Sequence, residues 1–227
     1  MKKICLACLL ILCIGCTQDQ KVQLAEVDQG EIRELTNHSA VYIFYDPTAP
    51  DSLIFNANNL ITNTNWILHI DKRLPLSKLR NQLDFIYNKA NKETMHKKEP
   101  SPIYFSVHDR LAEGLAFIEA TGTKFQPASM NSLKHVATTP EEHSSRQVVH
   151  IDLNYEHQIT IDGDIVKKEV FIPYLQEKLS SIDTSENILI YLNVDERIHF
   201  EEYINLYLRI KRLTSEKVQL AFLHFVY

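Results

Sequence analysis

The stretch Ile188-Leu-Ile-Tyr-Leu-Asn-Val194 is almost continuously apolar. A strand of this composition is typical of a sheet that is buried on both faces. Apolar residues recur at helical spacing before the stretch and again after it, at Val170, Phe171, Tyr174, Leu175 and Leu179, and at Phe200, Tyr203, Ile204, Tyr207, Leu208 and Leu213. The pattern therefore predicts a central strand between two amphipathic helices.

Further strands are predicted on both sides of this unit. Residues 148–155 and 158–161 have strand character, and Gly163 can take the positive φ that a tight hairpin turn needs. Residues 218–226 form the last predicted strand. The order β-β-α-β-α-β predicts an α+β fold, an α/β two-layer sandwich.

The first half of the chain has a similar composition. Its apolar runs predict four strands and two helices, the first helix with Ser77 as a candidate N-cap. The strands are expected at residues 40–45, 53–55, 66–70 and 103–107, and the helices at 76–87 and 111–120. A stretch rich in Ser, Thr, Asn and Pro then predicts a linker.

These patterns divide the chain into five segments. They are a signal peptide at 1–16, a polar tether at 17–39, a first α/β unit at 40–125, a linker at 126–147 and a second α/β domain at 148–227. The two units are candidates for tandem copies in either of two incompatible registers. One aligns residues 104–111 with 191–198, and the other aligns 68–74 with 192–198.

The first sixteen residues have the form of an export signal. Lys2 and Lys3 precede an uncharged apolar run at residues 4–14, and the segment closes on Gly15-Cys16. A cysteine at the first mature position is typical of a lipoprotein, in which that thiol carries diacylglycerol. A plain signal peptide and a short membrane anchor are the alternatives, because Cys13 stands where lipoproteins usually have Leu or Val. The expected location is the bacterial cell envelope, lipid-anchored and facing the periplasm.

Charge and cysteine content narrow the class of protein. Of 24 Lys and Arg residues, Lys2 and Lys3 belong to the leader, which leaves 22 against 29 Asp and Glu. This acidic balance argues against a nucleic-acid partner. All four cysteines, Cys5, Cys8, Cys13 and Cys16, lie in the leader, so the mature chain has neither an internal disulfide nor a cysteine-based zinc site.

The sequence offers few groups for catalysis or cofactor binding. Its glycines stand too far apart for a phosphate-binding loop, and no serine lies in a nucleophile elbow. His143, His150 and His157 are evenly spaced, but no carboxylate motif accompanies them, so no metal site is expected. Asp71 and Asp195 follow apolar strands and are expected to cap a helix or a turn. We therefore expect no catalytic residue, no metal and no cofactor.

Part of the second half resembles the periplasmic domain of the ExbD/TolR family of biopolymer transport proteins. The matching segments are Ile159-Thr-Ile-Asp-Gly-Asp-Ile165, Ile190-Tyr-Leu-Asn-Val-Asp195, Phe200-Glu-Glu-Tyr-Ile204 and Val218-Gln-Leu-Ala-Phe222. The family carries a membrane helix with a buried Asp, whereas the apolar leader of this chain holds no acid. The resemblance implies a binding domain whose partner is peptidoglycan or an extended segment of an energy-transducing protein.

The expected function is therefore a non-catalytic binding module of the cell envelope, and the resemblance implies an accessory role beside an ExbD/TolR-type system. Recognition is expected by strand addition at the edge formed by residues 218–226, with a partner-binding segment at Val218, Gln219, Leu220, Ala221 and Phe222. An envelope hydrolase is the first alternative, and a carboxylate–histidine pair in a cleft would favour it. A purely structural lipoprotein is the second, and the lack of any exposed apolar groove would favour that one.

Lipidation at Cys16 is directly testable. Because the lipid bond needs the Cys16 thiol, Cys16→Ala should abolish incorporation of a labelled fatty acid and prevent cleavage at this position. Metabolic labelling of wild type and variant measures this, and equal label in both would exclude a lipoprotein.

Overall fold

A computed structural model describes residues 21–49, 51–92, 100–128, 146–182 and 187–227. The predicted signal peptide with Cys16 and the larger part of the predicted linker lie outside these residues. None of the helices described is long and apolar enough to cross a membrane. Two sheets and three helices make up the described chain, and the predicted α+β two-layer fold is confirmed.

The first sheet has the strand order β3–β2–β4–β5–β6, with β1 also paired to β5. Strands β1, β2, β4 and β5 are parallel, and β3 and β6 form antiparallel edges. The bounds are β1 Glu26–Val27, β2 His38–Tyr45, β3 Leu53–Asn56, β4 Asn65–Ile70, β5 Ile103–Asp109 and β6 Gly114–Glu119, with helix α1 at Leu76–Asn91 between β4 and β5.

The second sheet has the order β10–β9–β8–β11–β13–β7, and β12 also pairs with β11. The bounds are β7 Lys124–Pro127, β8 Arg146–Leu153, β9 Ile159–Ile161, β10 Asp164–Val166, β11 Asn187–Val194, β12 Val218–Leu220 and β13 Leu223–Val226, with helices α2 Phe171–Ser181 and α3 Phe200–Lys211. As predicted, β11 is central and Gly163 takes a positive φ, of 91°, in the β9–β10 turn.

One hydrophobic core joins both sheets, because α1 and α3 each contact strands of both. The ring of Phe200 in α3 lies 5.3 Å from Phe105 of the first sheet, and Tyr203 lies 5.3 Å from Phe125 of the second. Helix α1 contacts β3 through the ring pair Phe85–Phe55 and also contacts β7. The halves therefore pack as one body.

The two strand-to-helix turns bind each other reciprocally. The Leu76 N–H donates to the Ile198 carbonyl and the Phe200 N–H donates to the Leu74 carbonyl, at 2.9 and 2.8 Å. The next amide of each helix does the same: the Ser77 N–H donates to the Glu196 carbonyl, and the Glu201 N–H donates to the Lys72 carbonyl. Neither helix has a side-chain cap, so the predicted Ser77 cap is wrong. Each turn instead supplies carbonyl acceptors for the first amides of the other helix.

This pairing distinguishes the two repeat registers. Residues 68–74 and 192–198 both run from a central strand into a helix through equivalent turns, so the second register matches the structure. In the first register, residues 104–111 run into a hairpin and not a helix. The predicted helix at 111–120 is therefore wrong, because Glu113 takes a positive φ and the chain returns as β6.

The structure differs from the predicted bounds of the tether and of the linker, and β8, which begins at Arg146, takes in the last two residues of the linker. Residues 21–39 were expected to be tether, yet β1 pairs with β5, and Ala25 and Val27 are fully buried in the core. Strand β7 includes the first two residues of the predicted linker, and it joins the second sheet beside β13. Strands β1 and β7 are too short for their pairing to be read from hydrophobic periodicity.

Leu192 tests the central position of β11. It is fully buried, so Leu192→Ala should lower the free energy of unfolding by about 2–5 kcal/mol through lost contacts and a cavity. Leu111 is 72% exposed, so Leu111→Ala is the matched control and should change stability by less than about 0.5 kcal/mol. Urea denaturation measures both, and equal midpoints would contradict the burial of β11.

Candidate functional site

The predicted partner-binding segment lies beside an open groove. Val218, Gln219 and Leu220 form β12, and the chain then kinks at Ala221 and Phe222 before β13 begins. The groove has a volume of about 380 Å³. It is lined by Thr123, Tyr207, Lys211, Thr214, Ser215, Val218, Gln219, Leu220, Ala221 and Phe222. The structure therefore places all five predicted residues on one concave surface.

The expected strand edge at residues 218–226 is wrong in its second part. Strand β13 lies between β11 and β7 and has no open side. The Lys124 N–H donates to the Phe222 carbonyl at 2.7 Å, so the chain's own β7 occupies the position expected for a partner strand. Covering an edge in this way protects a sheet from unwanted pairing.

Strand β12 offers little backbone for strand addition. The Ala221 N–H donates to the Ile190 carbonyl in β11, and Gln219, two residues earlier, is turned to the same side. On the outer side, Val218 exchanges two hydrogen bonds with Ser215. Leu220 is the one β12 residue left with its backbone turned toward the groove. Recognition here must therefore depend mainly on side chains.

Phe222 is the most prominent side chain of the groove. It is 69% exposed, and it is the exposed large apolar side chain among the residues that line this groove. Its ring lies over Gly122, where a Cβ would come within 3.2 Å of Phe222 Cδ1. Gly122 also has a φ of 82°, which favours glycine. The glycine thus leaves room for the ring on the surface, although the sequence does not show this relationship.

A buried histidine supports the groove from inside. His224 Nδ1 lies 2.8 Å from the Tyr203 hydroxyl, and the ring is 5.5 Å from that of Tyr207. Burial lowers the pKa of His224 to about 4. Burial also raises the pKa of Tyr207 to about 12. His224 and Tyr207 are therefore both uncharged near neutral pH.

A second and larger concavity lies where the two halves meet. This charged cleft has a volume of about 550 Å³ and is lined by Glu26, Asp28, Arg110, Leu153, His157, Ile159, Lys168, Glu169, Glu201, Glu202, Asn205, Leu206 and Arg209. Helix α3 supplies five of these residues. Sequence analysis missed this cleft, because its lining comes from four separate parts of the chain.

The cleft contains a carboxylate–histidine pair. His157 Nδ1 lies 2.5 Å from Glu202 Oε2, with the imidazole 65% exposed on the turn between β8 and β9. The residues that line the cleft in the described part of the chain include no Ser, Thr or Cys. The pair links the β8–β9 turn to α3, but no nucleophile accompanies it among the described residues that line the cleft.

The strand-ending carboxylates close turns, as expected. Asp195 accepts the Arg197 backbone N–H and two guanidinium hydrogen bonds at 2.8 and 2.7 Å, and these lower its pKa. Burial alone would raise the pKa of Asp71, but hydrogen bonds from Arg73 and from the Gln23 N–H together outweigh it, so that the pKa is lowered. Their role is to hold the two paired turns in shape.

The evenly spaced histidines do not form a cluster. His150 lies in β8 and His157 in the following turn, while His143 lies outside the described residues. Across the described segments, no group of three or more His, Cys, Asp or Glu residues is placed to hold a metal ion. Comparison of the sequence with protein-family models, with curated proteins and with solved structures found no match.

The low pKa of His224 predicts how stability depends on pH. The unfolded chain protonates histidine near pH 6.5, so it binds more protons than the folded protein between about pH 6.5 and 4. Stability should therefore fall as the pH is lowered through this range. His69, whose pKa burial also lowers to about 4, acts in the same direction.

The corresponding measurement is urea denaturation at pH 7 and at pH 4.5. His224→Gln should lose stability at pH 7 but show a smaller further loss at pH 4.5 than wild type, because the mutant lacks this proton uptake. The same pH-dependent loss in both proteins would mean that His224 is not held neutral by burial.

Proposed function

We propose that this protein is a non-catalytic binding module of the bacterial cell envelope. In this proposal a lipid on Cys16 tethers the folded body to the membrane, facing the periplasm. The resemblance of the second half to ExbD/TolR periplasmic domains suggests an accessory role beside an energy-transducing system of that type. The partner would be an extended protein segment or peptidoglycan.

The observation that carries the proposal is the groove containing the exposed Phe222. An aromatic ring held on the surface by Gly122, beside the half-buried Val218 and Leu220, has the composition of a recognition site. A purely structural lipoprotein would not need such a surface. The predicted segment thus remains the favoured site, with side-chain contacts in place of strand addition.

A partner chain would bind mainly through apolar contact. Covering Phe222 and the neighbouring aliphatic side chains removes apolar surface from water, at about 25 cal/mol per Å². The outward backbone of Leu220 adds at most a short hydrogen-bonded contact. Lys211 at the rim is paired with Glu31 at 2.7 Å, so the groove itself carries little net charge. An uncharged or weakly charged extended segment fits this surface.

Phe222→Ala should therefore reduce partner binding about tenfold or more, equivalent to roughly 1.4 kcal/mol. Phe85 is 49% exposed on α1 away from the groove, so Phe85→Ala is a matched control that should bind normally. Retention of envelope proteins and sedimentation with peptidoglycan, measured for all three proteins, test the proposal. Equal retention by all three would contradict it.

The envelope hydrolase remains a second candidate because of the pair His157–Glu202 in the charged cleft. This alternative expects the protein to release soluble fragments from peptidoglycan, and His157→Ala to abolish the release. The binding-module proposal expects no release by either protein. The same preparations used for sedimentation therefore separate the two functions.

A further inference from the structure

The charged cleft has its own ordered arrangement of side chains, independent of the Phe222 groove. Helix α3 runs through it with Glu201, Asn205 and Arg209 at four-residue intervals, so these three side chains share one face. Both halves of the protein reach this helix. From the first half, the Glu26 carbonyl accepts a hydrogen bond from the Asn205 amide at 2.9 Å. From the second half, His157 contacts Glu202, the residue after Glu201 on α3.

The two ends of the cleft carry opposite charge. At the start of α3 stand three carboxylates, Glu26, Glu201 and Glu202. One lysine accompanies them, because Lys72 lies 3.2 Å from both Glu26 and Glu201. These four side chains leave an excess of two negative charges, while Asp28, which lies beside a later part of α3, is neutralised by its pair with Arg110.

The other end has an excess of one positive charge, since Arg209 and Lys168 face a single acid, Glu169. Arg209 reaches the Lys168 carbonyl at 3.5 Å and lies 5.8 Å from the Phe171 ring. None of the ion pairs found within the described residues includes Arg209, Lys168 or Glu169. The guanidinium is therefore available to an incoming carboxylate.

The spacing of the ends gives the length of a ligand. Seven residues separate Glu202 from Arg209, which corresponds to about 10.5 Å along a helix. An extended peptide of three or four residues spans roughly 10–13 Å from end to end. Between the ends, Leu153, Ile159 and Leu206 offer an apolar lining, each 4% exposed.

We propose that the charged cleft binds a short zwitterionic peptide of three or four residues. Its ammonium group lies at the acidic end beside Glu202, and its carboxylate lies at Arg209. The cleft volume of about 550 Å³ is in the range of small-ligand sites. An acidic first turn and a basic last turn also stabilise a helix by themselves, so the test must measure ligand discrimination and not only stability.

The probe is trialanine with free termini, compared with N-acetyl-trialanine and trialanine amide. Binding to the mature protein, measured by calorimetry, should be at least tenfold weaker for each blocked peptide. Arg209→Gln should bind trialanine and trialanine amide equally well, but should still bind N-acetyl-trialanine more weakly. Glu202→Gln should reduce the difference between trialanine and N-acetyl-trialanine, but should still bind trialanine amide more weakly.

Arg212→Gln is the matched control. Arg212 follows α3 directly and donates to the Gln29 carbonyl outside the cleft, so its loss should leave both discriminations intact. Urea midpoints of the variants confirm that each is folded. Equal binding of free and blocked peptides, or no binding of trialanine at millimolar concentration, would overturn the proposal. Phe222→Ala should not affect trialanine binding, because Phe222 lies outside the charged cleft. A negative result for one of the two sites therefore does not decide the other.

Discussion

The reciprocal backbone pairing of the two strand-to-helix turns is the contact on which the arrangement of the chain depends. The first amides of α1 donate to residues 196 and 198, and the first amides of α3 donate to residues 72 and 74. Each pair of helix-terminal amides would otherwise need a side-chain cap or water. Because each turn completes the other helix, neither half presents a finished helix start without its partner. The internal salt bridges Asp71–Arg73 and Asp195–Arg197 keep both turns in the required shape.

Both concave surfaces follow from this pairing. Helix α3 starts at the turn and packs between the sheets, so its outer face meets β1 on one side and the β8–β9 turn on the other. That position creates the charged cleft. The same helix presents Tyr207 and Lys211 farther along, at the groove beside β12. One helix, held at its first residue, therefore lines two surfaces of different chemistry.

The chain itself covers two strands that would otherwise be sheet edges, which leaves little backbone for strand addition there. Strand β7 covers β13, and the backbone of Glu31 and Ile32 covers Phe117 of β6. Strand β7, an outer strand of its sheet, ends in Pro127, which has no N–H to donate. Long open edges would favour aggregation, so their protection is expected in an independent domain. The backbone carbonyl of Phe222 pairs with β7, but its side chain is exposed to solvent.

Strong hydrophobic periodicity made several elements predictable. Strand β11 and helices α1, α2 and α3 were expected close to their observed positions, because their apolar residues recur over two or more turns or fill a whole strand. The short elements were not predictable. Residues 111–120 have helical spacing, but a turn at Glu113 and pairing with β5 make them a strand. The final predicted strand is divided because Ala221 and Phe222 shift the chain from one position beside β11 to another.

The sequence by itself determined the α+β class, the central strand and the composition of the segment 218–222, since local hydrophobic pattern governs these. Only the tertiary structure decided that Val27 belongs to the core, that β7 covers β13, and that Glu202 meets His157. Each of these contacts joins residues far apart in the chain. Pairing at such distances depends on which surfaces remain open after the main elements pack, and a single sequence does not contain that information in any local window.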